Sequence, residues 1–126
     1  MKVTNPHTMN ETFAQAFNSR SLDNVLALYE PGALLRVGPG DRTLTGSSLA
    51  NELATLLQAP GKMVLKTNFC IARGDLALLR ADWTIVTDDG SIIASGSSAE
   101  VVRQQPDGSW RYIIDHAVGA SLPRAL

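Results

Sequence analysis

At Pro60-Gly61 the hydrophobic period of the chain changes from about 3.6 residues to 2, and this switch restricts the fold more than any other feature. Upstream, Met9, Phe13, Ala16 and Phe17 recur at helical spacing behind Thr8-Met9-Asn10-Glu11, a capping-box sequence in which Thr8 and Glu11 can each satisfy a free backbone N–H. A second short helix is predicted behind Ser21, with Leu22, Val25, Leu26 and Tyr29 on one face and "EPG" as its stop. "ALLRV" and "RTLT" flank Gly38-Pro39-Gly40-Asp41 and read as a short hairpin; no Gly-Lys-Ser/Thr ending follows to make a phosphate loop. Ser47 or Ser48 can open a third helix carrying Leu49, Leu53, Leu56 and Leu57.

Downstream, four alternating runs, "MVLKTNFCIAR", "LALLRADWTIVT", "SIIASGSSAEVVRQQ" and "SWRYIIDHAV", are separated by Gly74-Asp75, Asp88-Asp89-Gly90 and Pro106-Asp107-Gly108. These turns predict an antiparallel meander. Gly96, within "SGSS", lacks strand propensity and predicts a bulge or bend that lets a long strand curl. Helices first and a curled sheet after them make an α+β cone with one open mouth, in the order ααββαββββ, a shape suited to a small-molecule pocket.

Composition narrows the function classes. At 126 residues and 44% hydrophobic, the chain is sized for one domain, 1–126, with a core of about 8–119. Eleven Lys and Arg against twelve Asp and Glu, with no basic run, supply no footprint for nucleic acid. No window approaches the roughly 20 apolar residues of a membrane span, and the N-terminus has no apolar leader, so the expected setting is soluble and cytoplasmic with no membrane partner. Cys70 is the only cysteine, which excludes an internal disulfide or thiolate cluster and suits a reducing compartment; in "KTNFCIAR" it reads as a core thiol. His7 and His116 are too far apart to suggest a metal, and none is expected.

Strand alternation groups Leu78, Arg80, Asp82 and Thr84 on one face, and Leu79, Ala81, Trp83 and Ile85 on the other. On the last strand it groups Arg111, Ile113 and Asp115 against Trp110, Tyr112, Ile114 and His116, so Asp115 and His116 are adjacent but point apart. Asp82, inside "LALLRADWTI", needs a partner or a proton to sit in a central strand. Arg80, two residues away, is available, and Arg111 or Glu100 on other strands can complete the cluster, which reads either as an ion-pair network at a rim or dimer face or as a polar pocket floor. Trp83, Trp110 and Tyr112 read as packing or subunit-contact aromatics, and His116 as a sheet histidine or a general base.

"AFNSRSLDNVLALYEPGALL", "LTGSSLANELATLL", "GDLALLRADWTI" and "VVRQQPDGSWRYIIDHAVG", in this order, resemble the nuclear transport factor 2-like superfamily over roughly Phe13 to Gly119. The likeness points to its small SnoaL-like, ketosteroid isomerase-like (SgcJ/EcaC-type) branch. The resemblance implies a cystatin-like α+β barrel, no cofactor, and a homodimer formed through the outer sheet face, where Trp83, Trp110 and Tyr112 are expected. Matched to the steroid isomerases, the general base falls near Val37 and the oxyanion tyrosine at Phe13, neither able to exchange a proton, while Glu100 matches the second acidic group. Matched to the epoxide hydrolases, Arg80, Asp82 and Asp115 resemble the catalytic Arg-x-Asp and second Asp, with Arg36 and Gly38 where a water-positioning tyrosine and asparagine stand. The expected catalytic set is therefore Asp82, Asp115 and Arg80, with Glu100, Phe13, Phe17, Ile113 and Arg36 around a small apolar oxygenated ligand. An isomerase, cyclase or epoxide-hydrolase-like enzyme, a ligand-binding protein and an assembly module all remain open.

Overall fold

A computed structural model describes residues 1–126. A 3-10 turn, Pro6–Thr8, leads into α1 (Met9–Asn18) and α2 (Leu22–Leu26); β1 (Tyr29–Arg36) and α3 (Gly46–Leu56) follow. The rest is sheet: β2 (Lys62–Arg73), β3 (Leu76–Val86), β4 (Ile92–Ser97), β5 (Ala99–Gln104) and β6 (Trp110–His116). No helix is long and apolar enough to cross a membrane.

The strands lie in the order β1-β6-β5-β3-β2, with β4 also on β3. All pairs are antiparallel except β1 with β6, which is parallel. Parallel neighbours need a long crossover, and α3 with the whole meander supplies it. The sheet is therefore mixed, and the helices pack on its concave face. The second strand of the expected hairpin shrinks to one bridge, Leu35 with Leu44, whose backbones exchange two hydrogen bonds of 2.9 Å.

Three local expectations are corrected. Glu11 does not complete a box with Thr8; its carboxylate accepts from the Thr67 hydroxyl (2.6 Å) and backbone N–H (3.2 Å), tying α1 to β2. The side-chain cap lies one turn earlier, where Asn5 Oδ1 accepts from His7 N at 3.0 Å and caps the 3-10 turn. Tyr29 does not ride on α2, which stops at Leu26; it opens β1 opposite Tyr112, and the "EPG" sequence lies inside the irregular part of that strand. The long third run of the meander breaks at Ser98, where Ser98 N donates to Ala81 O (2.8 Å) and Ala81 N donates to Ser98 Oγ (3.1 Å). That exchange lets the chain bend while both backbone groups stay paired. Gly96 has another reason to lack a side chain: a Cβ there would stand 2.9 Å from the Trp83 ring and 3.0 Å from Val118.

Candidate functional site

Two carboxyl side chains meet inside the cone. Glu100 on β5 and Asp115 on β6 are direct cross-strand partners on the concave face. Simple alternation from the buried Trp110 and Tyr112 would send Asp115 outward. A β-bulge prevents this: Val102 faces Tyr112 while Val101 faces Ile114, so Ile113 is an extra residue and the phase of β6 shifts by one. Trp110, Tyr112 and Asp115 consequently point in, and Arg111, Ile114 and His116 lie on the outer side.

The pair sits at a cavity of about 100 Å³ whose lining is mostly hydrophobic. That is room for about three waters, or about five non-hydrogen atoms of a compact molecule. Tyr29 Oη donates to Asp115 Oδ2 at 2.5 Å, Asn10 Nδ2 donates to Glu100 Oε1 at 3.0 Å, and Tyr112 Oη donates to Asn10 Oδ1 at 2.6 Å. Phe13 stands edge-on to both tyrosine rings, at 6.5 and 5.9 Å between centroids. No lysine, arginine or histidine lines the cavity. Nowhere do three or more His, Cys, Asp or Glu side chains converge to hold a metal.

Burial without a counter-ion raises both acids. Glu100 is pushed up to about 8 by burial and then by the Asp115 charge, against hydrogen bonds from Ser98 and Asn10. Asp115 is pushed up to about 6 by burial, with the Tyr29 hydrogen bond pulling the other way. Both are raised, and the two titrate as a pair that holds one proton near neutrality. Tyr29 and Tyr112 are raised well above the usual phenol range, first by burial and next by the neighbouring carboxylates, so both remain donors.

Of the residues expected at the site, Asp115, Glu100 and Phe13 line the cavity. Asp82 and Arg80 do not, and the expected pairing of Asp82 with Asp115 is corrected: β3 turns Leu79, Ala81, Trp83 and Ile85 inward. Asp82, with its side chain 57% exposed, accepts from Ser97 Oγ (2.5 Å) and Asn68 Nδ2 (3.1 Å) and lies 3.6 Å from Arg80 Nη2. Those two hydrogen bonds, then Arg80, hold its pKa below the usual value. Phe17 packs behind the cavity with Ala14, Met63 and Ile85, and Ile113 is the half-buried bulge residue. Arg36 is on the outer face opposite His116, bonded to Thr43 at 3.0 Å. His116 is held below its usual pKa by burial and by Arg36. The aromatic face is also corrected: Trp83 lines the cavity with Nε1 donating to Ala117 O at 2.7 Å, and Trp110 and Tyr112 are buried. Asn10, Tyr29 and Tyr112 escaped sequence reasoning as site residues. For Asn10 a signal existed, a polar residue in line with Phe13 and Phe17 on the apolar stripe of α1.

No protein-family model matches the chain, and no curated protein matches its sequence. Solved structures do match in shape. A candidate calcium/calmodulin-dependent protein kinase type II association domain from Thiobacillus denitrificans superposes with a TM-score of 0.77 at 22% identity, over 94% of this chain and 97% of that one. An NTF2-like protein of unknown function from Pseudomonas putida gives 0.68 at 22%, over 86% and 80%. A Nostoc punctiforme protein of unknown function with a cystatin-like fold gives 0.70 at 21%, over 91% and 89%. The chain has the NTF2-like fold. This fold carries many unrelated activities, so the chemistry of this NTF2-like cone has to be argued from the Glu100–Asp115 pair.

Proposed function

We propose that the cone is a small-molecule site at which Glu100 and Asp115 move a proton, Glu100 giving it and Asp115 taking it. One observation carries this reading: two buried acids are direct cross-strand partners on a cavity wall and have unlike partners, a tyrosine hydroxyl on Asp115 and an amide on Glu100, while burial raises both. Tyr29 holds the Asp115 carboxylate in place and Asn10, oriented by Tyr112, holds Glu100. The reaction class is cofactor-free acid–base chemistry, such as an isomerisation that takes a proton from one carbon and returns one to another. It differs from the expected Arg80–Asp82–Asp115 arrangement, whose first two members are outside the cone.

The test is solvent-deuterium incorporation followed by NMR, on small ketones and protonated cyclic imines of about four to six heavy atoms, a range set by the cavity. Exchange above buffer on at least one compound, with a bell-shaped pH profile between about 6 and about 8 and loss in Asp115→Asn, is expected. Compounds that bind without exchanging would leave a binding protein.

A second reading concerns assembly. Ile71, Leu78, Val101, Ile114 and Leu34 are successive cross-strand partners on the convex face, an apolar row that crosses five strands. Ile71 is 62% exposed and Leu78 and Ile114 are each 47% exposed. We propose a homodimer across this row, in keeping with the name "association domain" borne by one structural neighbour. Sedimentation velocity is expected to show a dimer that Leu78→Lys dissociates; a wild-type monomer at tens of micromolar would sink the idea.

A further inference from the structure

The cavity has a charge imbalance that no group within it corrects. Glu100 and Asp115 are the only carboxylic acids on its wall, and neither joins any of the ion pairs the chain forms, which are Lys2–Asp107, Arg42–Glu52, Arg80–Asp82 and Arg103–Glu30. Asp115 is only 9% exposed and uses one oxygen, Oδ2, for Tyr29; its Oδ1 has no hydrogen-bond partner. The elements packed around the pair offer Asn10 and Phe13 from α1, Tyr29 from β1, Trp83 from β3, Ser98 from the break between β4 and β5, and Tyr112 from β6. None of these is a cation. Arg36 and Arg80 are on the outer face of the sheet with His116. A buried carboxylate that has lost its proton is ordinarily matched by a cation, and no side chain around this pair supplies one.

We propose that the cavity binds a compact alkylammonium ion, its N–H groups directed at Asp115 Oδ1 and Glu100 and its alkyl body held among Phe13, Tyr29, Trp83 and Tyr112. The size follows from the cavity, about 100 Å³, which takes about five heavy atoms. The aromatic walls suit an ammonium because ring faces attract a desolvated cation, and they exclude a hydrated metal ion, which would need several oxygen ligands. A neutral isostere can fill the same volume but leaves the carboxylate without its counter-charge. The inference rests on the cone being a small-molecule site and deepens it by naming the ligand class; it does not require turnover.

Binding a cation favours the ionised pair, so affinity falls when Asp115 is protonated below about pH 6. Calorimetric titration with tert-butylammonium and with tert-butanol, which share a shape and differ in charge, separates the cases. Tert-butylammonium is expected to bind at pH 7 and about tenfold more weakly at pH 5, where about one proton leaves the protein per ion bound, measured in buffers of different ionisation enthalpy. Tert-butanol is expected to bind more weakly at pH 7 and with no pH dependence. Asp115→Asn should cost tert-butylammonium at least tenfold and remove the pH step. Glu100→Gln, which keeps the bond to Asn10, should retain the step, and melting curves check that both variants fold. Equal or tighter binding of tert-butanol, a flat pH profile for tert-butylammonium, undiminished affinity in a folded Asp115→Asn variant, or no binding of either compound would each overturn the proposal. Deuterium exchange on neutral ketones alone would leave the proton-transfer reading standing, so the two can fail separately.

Discussion

Tyr29 is the only side chain that hydrogen-bonds Asp115, and that one bond opposes the burial that raises the acid. Removing the hydroxyl while keeping the ring isolates its effect. In Tyr29→Phe the Asp115 pKa is expected to rise above about 6, toward that of Glu100, because desolvation then acts unopposed. The carboxyl ¹³C shift of Asp115, followed against pH, reads this directly; an unchanged or lower midpoint would show that the bond does not form in solution. Asp82 is the contrasting residue. It is exposed, and its bonds to Ser97 and Asn68 are made at the surface, so Asp82→Asn is expected to leave the urea midpoint near wild type and cavity binding unchanged. A large loss of either would return Asp82 to the candidate site.

At the scale of elements, two interruptions of regular strand build the cavity. The extra residue Ile113 turns Asp115 inward, and the break at Ser98 splits one long run into β4 and β5, which lie on different lengths of β3. Ser98 is 3% exposed and its hydroxyl is the acceptor for Ala81 N–H. Ser98→Ala leaves that buried donor unpaired and is expected to cost about 1–3 kcal/mol in urea unfolding. A change of a few tenths of a kcal/mol would mean that the bend rests on other contacts, chiefly the close approach of Gly96 to Trp83. Helical elements were legible because their stripes and stops are local. The strand interruptions were not, since a bulge depends on how two strands pair, and alternation read from one strand alone carries the wrong phase past it.

For the whole molecule, the buried pair makes stability fall as pH rises. Glu100 is raised from 4.5 to about 8, so its contribution is full at low pH and is lost as pH passes through about 8. Asp115 adds a loss of the same sign through about 6, while the depressed His116 acts oppositely below its usual range. Asp89 and Asp107, held at about 2 by hydrogen bonds first from Thr87 and Ser109, lose their contribution only in strong acid. Between pH 7 and pH 9 Glu100 therefore dominates, and unfolding free energy is expected to drop by about 1 kcal/mol across that window. In Glu100→Gln the same two measurements should agree. A wild-type stability that is flat or rises from pH 7 to pH 9 would contradict a raised Glu100.

By itself, the sequence determined the class: helices before a meander, one curled sheet, and a cone of NTF2-like shape, because period, stop residues and turn sequences are properties of short segments. It also marked Asp115, Glu100 and Phe13, three of the residues that line the cavity. Which acid partners Asp115 was decided only in three dimensions. Glu100, 15 positions upstream, meets Asp115 through the pairing of β5 with β6, whereas Asp82 is turned outward by the register of β3. Tyr29 and Asn10 arrive from the other end of the chain, 86 and 90 positions from the groups they bond. Cross-strand register and the burial that shifts a carboxyl pKa arise from long-range packing, and only the folded chain brings those residues together.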